Sequence, residues 1–273
     1  MSLRAVVISE DHYNALGMVR SLGELNIDTY LILTTSEKRT YVDKSKYVKY
    51  SAKVDRNEKA IIHAIQNAIE KSKQKDTVIC LFPLSDYAAS LIDANRELFL
   101  QDHVIVPHMH GRMKEWQEKE KSKELAYNNG IRVPKSIIMY LSISSASFEW
   151  DIFPSIIKPL LSVEGIKSHI TIVGSEEELK ERLDWFKENG YSRVMVEEYI
   201  HGEDEYMVEV LGYAHGKNVH ISGIVKKIRE YPYRRGSTSY AQIVESVPDL
   251  NINSVVEYVR ALGFNGLFDM EFK

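Results

Sequence analysis

Residues 194–210 read "VMVEEYIHGEDEYMVEV". The apolar run Val194, Met195, Val196 leads into five acids between Glu197 and Glu205, and a second strand-like segment follows, "EYMVEVLGY" from Glu205 to Tyr213. Both flanks have strand character, and Gly202 permits the turn between them. Five acids so close together would be ordinary on a solvated hairpin. The apolar run in front of them favours instead the end of a strand.

Working outward, strands "SIIK" (155–158) and "HITIV" (169–173) and a helix from Glu176 to Glu188 precede this stretch. Strand "NVHISGIVKK" (218–227), a loop, a helix from Ile252 to Leu262 and a last strand "NGLFDMEFK" (265–273) follow it. Upstream, a charged helix from Trp116 to Asn128 stops at Gly130, which fits a helix C-cap, and "IRVPKSIIMY" returns to strand. This half reads as α+β. The first hundred or so residues read differently: "RAVVIS", a helix from Asn14 to Leu25, "TYLILT", a helix from Arg56 to Lys71, "TVICLF", a helix from Asp86 to Phe99 and "HVIVP" alternate as in a small parallel doubly wound domain. The expected division is therefore an α/β domain over 1–108 and a second domain over 109–273.

Composition narrows the function. With 35 basic and 39 acidic residues the net charge of -4 draws the surface neither to nucleic acid nor to anionic lipid. No segment approaches the roughly 18 apolar residues of a membrane span. The single cysteine, Cys80, lies in "VICLF" and reads as a small buried hydrophobe, so the chain reads as cytoplasmic. The first turn, "SEDHYNALG", lacks the glycine spacing that lets backbone approach a pyrophosphate, and no P-loop occurs. Ser85 and Asp86 begin a helix at a parallel strand end, where a helix cap is at least as good a reading as a ligand contact.

Several residues carry chemistry of their own. Lys158 interrupts an apolar strand and precedes Pro159, which keeps it extended and directs a compact ammonium out of the strand end, a good phosphate partner. Lys119 alone would be a solvated helix residue like Lys121 and Lys123. The run "VKKIREYPYRRGSTSYA" (225–241) mixes Lys226, Lys227, Arg229, Arg234 and Arg235 with tyrosines, weak evidence for single-stranded nucleic acid. In the last strand Asp269, Glu271 and Lys273 share one face by alternation, with acids set among large apolar side chains in what reads as a buried strand.

Taken in order, "EKEKSKELAYNNGIRVP", "FPSIIKPLLSVEGIKS", "VMVEEYIHGEDEYMVEV" and "GLFDMEF" resemble the ATP-grasp superfamily, in the branch of carboxylate-amine ligases related to carbamoyl phosphate synthase large subunits and D-aspartate ligases. "NALGMVRSLGELNI" and "FPLSDYAASLI" extend the resemblance over nearly the whole chain. It implies a Rossmann-like domain followed by an ATP-grasp domain with a lid subdomain at about 145–200, and ATP and Mg²⁺ as cofactors. Lys119 and Lys158 would contact phosphate. "LLSVEGIKSH" would be the lid over the phosphates, with Ser162, Gly165, Lys167 and Ser168 in it, though it carries a single glycine and an unfavourable Glu164. "EEYI" would be the adenine hinge, through the Glu198 carbonyl and the Ile200 N–H, with Glu197 facing the purine edge, Tyr199 lining the pocket and Glu205 on the ribose. Glu271, with Asp269 beside it, would hold the metal. Arg229 and Arg235 would face the substrate.

The family's further Glu-x-Asn metal strand does not follow Lys273, so the resemblance implies a truncated chain that is inactive by itself. The implied activity is ATP-dependent joining of a carboxylate to an amine through an acyl phosphate. Alternatives are bicarbonate phosphorylation, as in carbamoyl phosphate synthase or biotin carboxylase, and a non-catalytic ATP-binding module. The expected partners are small carboxylates and amines, with a homodimer as a further option and neither nucleic acid nor membrane.

Overall fold

The computed structural model describes residues 2–116, 118–141, 150–160, 169–202, 206–231 and 237–273. The chain forms two compact units, one of Met1–Lys114 with Gly263–Gly266, the other of Glu115–Leu262 with Leu267–Lys273.

The first unit contains β1 (Ser2–Ser9), α1 (Tyr13–Glu24), β2 (Asp28–Thr34), β3 (Val48–Val54), α2 (Glu58–Ser72), β4 (Thr77–Pro83), α3 (Asp86–Ala94) and β5 (Val104–Ile105). The strands form one sheet in the order β3-β2-β1-β4-β5, and all of its pairs are parallel. Alternate residues of β1 and β2 serve opposite faces. Val6, Ile8, Tyr30 and Ile32 pack with Ile61, Ile65 and Ile69 of α2, whereas Ala5, Val7, Leu31 and Leu33 pack with Ala15 and Val19 of α1. Covering on both faces explains why these strands read as continuous apolar runs. Helix α2 buries Ile61, Ala64, Ile65, Ala68 and Ile69, a single stripe at helical spacing, and begins where the Asn57 side chain accepts a hydrogen bond from the Ala60 N–H.

At the C-terminal end of β1, Asp11 accepts hydrogen bonds from the Tyr41 and Val42 N–H groups and His12 caps α1. The first turn is thus fastened by side chains. Ser85 caps α3 by accepting from the Ala88 N–H. The helix expected to reach Phe99 ends at Ala94, because the Asn95 amide turns back to the Leu91 carbonyl at 2.9 Å and a 3-10 turn follows. Strand β3 has no counterpart in the sequence reading; its Val48, Tyr50, Ala52 and Val54 alternate with exposed polar residues along a sheet edge.

The short helix α4 (Met113–Trp116) carries the chain into the second unit, which holds α5 (Lys119–Asn128), β6 (Ser136–Tyr140), β7 (Ser155–Lys158), β8 (Thr171–Val173), α6 (Glu176–Glu188), β9 (Arg193–Glu198), β10 (Val208–His215), β11 (Asn218–Tyr231), β12 (Ser237–Val244), α7 (Ile252–Leu262) and β13 (Gly266–Phe272). Two four-stranded sheets result, ordered β6-β9-β7-β8 and β12-β11-β10-β13. On the first, Leu179, Leu183 and Phe186 of α6 pack against Ile157, Val173, Val194 and Val196. On the second, Val208, Val210 and Ile224 are buried, and α7, itself burying Val255, Tyr258 and Val259, packs on β11.

Two features of the second sheet depart from the sequence reading. Residues 237–244, expected as loop, form strand β12. Strand β13, expected to be buried, lies at the sheet edge: Asp269 and Glu271 are exposed and only the Phe268, Met270 and Phe272 side is half-buried. Its alternation holds, but one face meets solvent. The α/β and α+β classes are both present, and among the described residues no helix is long and apolar enough to cross a membrane.

Candidate functional site

Helix α5 ends in a turn at Gly130 (φ +78°), with the Ile131 N–H bonded to the Ala126 carbonyl. That turn returns the chain along β6, which pairs antiparallel with β9 so that Ser136 lies opposite Glu197. Strand β7 pairs with the other side of β9 and places Ile156 opposite the same residue. Glu197 is therefore central in its sheet and only 7% exposed.

A carboxylate so placed needs compensation. It receives two ammonium groups. Lys158 at the end of β7 approaches one oxygen at 2.5 Å, and Lys123 of α5 approaches the other at 2.6 Å. Lys123 also donates to the Pro134 carbonyl at 2.7 Å and the Ser136 hydroxyl at 2.8 Å. Burial pushes the Lys123 ammonium below its usual pKa, against the opposing pull of Glu197.

Just beyond, the backbone of β9 is fastened on both sides. The Glu198 N–H donates to the Lys135 carbonyl at 2.9 Å and the Tyr199 N–H to the Pro154 carbonyl at 3.1 Å. The Glu198 carboxylate also accepts from the Lys135 N–H. Among the described residues, the next N–H, that of Ile200, has no backbone partner. The ammonium of Lys273 sits 4.8 Å from the centre of the Tyr199 ring.

A second cluster occupies β10, β11 and β13. Lys227, 6% exposed, reaches Glu271 at 3.2 Å and Glu230 at 3.8 Å. Asp269 stands beside these acids, and partial burial, then the charges of Glu209 and Glu271, push its carboxyl up to about 6. The outer face of β13 thus concentrates negative charge around one buried cation. Gly212 of β10 makes room for the strand: a Cβ there would lie 2.4 Å from the Phe268 ring and from the His220 carbonyl oxygen, at a bulge between Leu211 and Gly212.

The expected site residues fall into three groups. Lys158, Glu197, Glu198, Tyr199 and Ile200 lie together on and after β7 and β9, and Asp269 and Glu271 adjoin on β13. Arg229 is exposed and bonded to the Ser239 hydroxyl, while Lys227 occupies the buried place beside Glu271. Ser162, Gly165, Lys167, Ser168, Glu205 and Arg235 lie outside the described residues, and Lys119 opens α5 with its side chain outside the described atoms. The sequence reading missed Lys123 and Lys227. Their only signal was position: Lys123 is one helical turn after Lys119, and Lys227 falls where apolar alternation in β11 gives way to charge.

A cavity of about 750 Å³ also opens in this unit, lined by Val208, Ile228, Val255, Phe272 and Lys273 among others. Neither the lysine pair on Glu197 nor the acids of β13 line it.

No protein-family model matches the sequence. Solved structures match nearly all of it: the L-amino acid ligase from Bacillus licheniformis with a TM-score of 0.65 and 14% identity, over 99% of this chain and 63% of that one. Biotin carboxylase from Campylobacter jejuni, in a β,γ-ATP complex, matches with a TM-score of 0.66 and 17% identity, over 98% of this chain and 61% of that one. The fold is that of the ATP-grasp ligases. In sequence, D-alanine–D-alanine ligase of Aquifex aeolicus (strain VF5) is 32% identical over 117 residues, 42% of this chain and 38% of that ligase. The chain thus spans less than two thirds of the length of these ATP-grasp relatives.

Proposed function

We propose that the chain is the nucleotide-holding part of an ATP-dependent ligase that joins a carboxylate to an amine. The observation that carries this reading is Lys158, whose ammonium ends β7 beside a strand end where, among the described residues, the Ile200 N–H has no backbone partner. In this reading the Glu198 carbonyl and the Ile200 N–H hold the adenine edge, Tyr199 lines the pocket, and Glu205 takes the ribose. Lys158 and Lys119 turn to the phosphates, with Ser162, Gly165, Lys167 and Ser168 in the covering loop. The 32% identity to a D-alanine–D-alanine ligase weights amino acids above bicarbonate as the acceptor class.

The residues of β13 suit a magnesium ion. Among the described residues no three His, Cys, Asp or Glu side chains form a cage, but magnesium is held by one or two carboxylates together with phosphate oxygens. Glu271 and Asp269 would hold it, and the raised Asp269 carboxyl marks negative charge that a cation relieves. When bound, the ion neutralises phosphate charge.

The chain's own groups position the reactants. A substrate carboxylate oxygen attacks the γ-phosphorus, the bond from that phosphorus to the bridging oxygen breaks, and ADP leaves. The amine nitrogen then attacks the acyl carbon, loses a proton, and phosphate departs. Lys158 stabilises charge on the transferring group, and Arg229 and Arg235 are the cations offered to an acceptor carboxylate. ADP release by the native protein with ATP, Mg²⁺ and pooled amino acids tests this. Stimulation by one pool that is lost in Lys158→Ala supports it; nucleotide binding with no stimulation by any carboxylate contradicts it.

A further inference from the structure

We propose that Lys123 is a positioning residue that neutralises Glu197, so that the charge of Lys158 stays available to a phosphate anion. This rests on the reading of Lys158 as a nucleotide contact and adds a role for a residue that touches no nucleotide itself.

Donor counting separates the two lysines. An ammonium has three N–H donors. Those of Lys123 are all engaged, with Glu197, the Pro134 carbonyl and the Ser136 hydroxyl, at 2.6 to 2.8 Å. Lys123 therefore has no donor left for a ligand. Among the described residues Lys158 has one partner, the remaining oxygen of Glu197, and two donors free.

Charge counting points the same way. With the neighbouring Glu198, whose charge also acts on Lys123, the two ammonium groups just balance the local carboxylates, and Lys123, at 18% side-chain exposure, is as enclosed as Lys158 at 21%. Remove Lys123, and Glu197 and Lys158 become a closed neutral pair. An incoming polyphosphate would then compete with a full carboxylate charge for Lys158 and face no net attraction. Glu197 acts as the hinge of this device. Its burial between β6 and β7 holds both oxygens in place, one for each lysine.

The test uses Lys123→Met, which keeps the stem and removes the charge, and Lys123→Gln, which keeps a donor for Pro134 or Ser136 in case the methionine variant does not fold. ATP affinity should fall about ten- to thirtyfold in either, as expected for losing one unit charge some ~8 Å from the phosphates in a partly screened site. Adding Glu197→Gln to the same background should restore most of the affinity, because the surplus carboxylate charge goes with it. A purely structural Lys123 predicts the opposite, further loss in the double variant. A second readout needs no nucleotide: the pKa of the Lys158 amine, followed by NMR after reductive ¹³C-methylation, should rise in Lys123→Met as Glu197 turns wholly to Lys158. An unchanged Lys158 titration together with unchanged ATP affinity overturns the proposal and leaves the ligase reading standing. Wild-type protein that binds no ATP, with the Lys158 titration shifted as expected, overturns the ligase reading and leaves the charge device standing.

Discussion

Gly212→Ala is a demanding test of how β13 is seated. The added methyl would lie 2.4 Å from both the Phe268 ring and the His220 carbonyl oxygen. Ordinary carbon contacts begin near ~3.5 Å, so the overlap is about 1 Å at each. The ring can give way; the carbonyl belongs to β11 opposite and cannot move without the sheet. Overpacking of this kind costs about 1–3 kcal/mol. The alanine also narrows the unfolded ensemble, which returns roughly 0.4–1 kcal/mol. The net expectation is a loss of about 0.6–2 kcal/mol, a fall in urea midpoint of about 0.3–1 M for a slope near ~2 kcal/mol/M. Tryptophan fluorescence is the right probe, because the three tryptophans, Trp116, Trp150 and Trp185, all belong to the second unit. Gly212→Ala should cost less in a Phe268→Ala background than in wild type, though not nothing, since the His220 oxygen remains. A midpoint within about 0.2 M of wild type for Gly212→Ala would refute the argument that this glycine exists to admit Phe268.

Other expectations follow from single residues. Asp269 has a folded pKa of about 6 against an ordinary value of 3.8, so its favourable contribution is fully present below about pH 4 and is lost as the pH rises through about 6. Asp269→Asn should flatten that part of the pH-stability profile, and Mn²⁺ affinity measured by calorimetry should strengthen through the same pH range as the carboxyl ionises. Ser175 accepts the Glu178 N–H at the start of α6, so Ser175→Ala should cost about 1 kcal/mol in the same fluorescence-detected unfolding. Phe186 is fully buried between α6 and its sheet, and Phe186→Ala should cost about 3–5 kcal/mol by the same measure. Burial raises the Cys80 thiol pKa, so alkylation of native protein at pH 8 should be far slower than that of urea-unfolded protein.

Much of the fold could be read from the chain because the periodicities are strong where elements are covered. The buried stripe of α2 and the double-sided runs of β1 and β2 leave little alternative. Two edge strands were missed: β3 and β12 carry mixed residues because one side of each meets solvent. The same limit applied at the site. Lys158 stood out in the sequence because an ammonium breaks an apolar strand there just before a proline, and the structure sets it against the Glu197 carboxylate. Lys123 did not, because a charged helix shows no sign of which lysine meets a buried acid seventy-four residues away. Lys227 was hidden among neighbouring cations, since register shifts on either side of Arg229 in β11 break the alternation that would have told inward from outward.

The central claim is that a carboxylate is phosphorylated before an amine attacks it. The direct measurement is the fate of ¹⁸O in a carboxylate-labelled substrate, identified from the stimulating pool and incubated with the native protein, ATP, Mg²⁺ and an amine. Acyl phosphate chemistry carries one labelled oxygen into each inorganic phosphate released. Phosphate that takes its new oxygen only from water, at the same rate of ADP formation, would contradict the account.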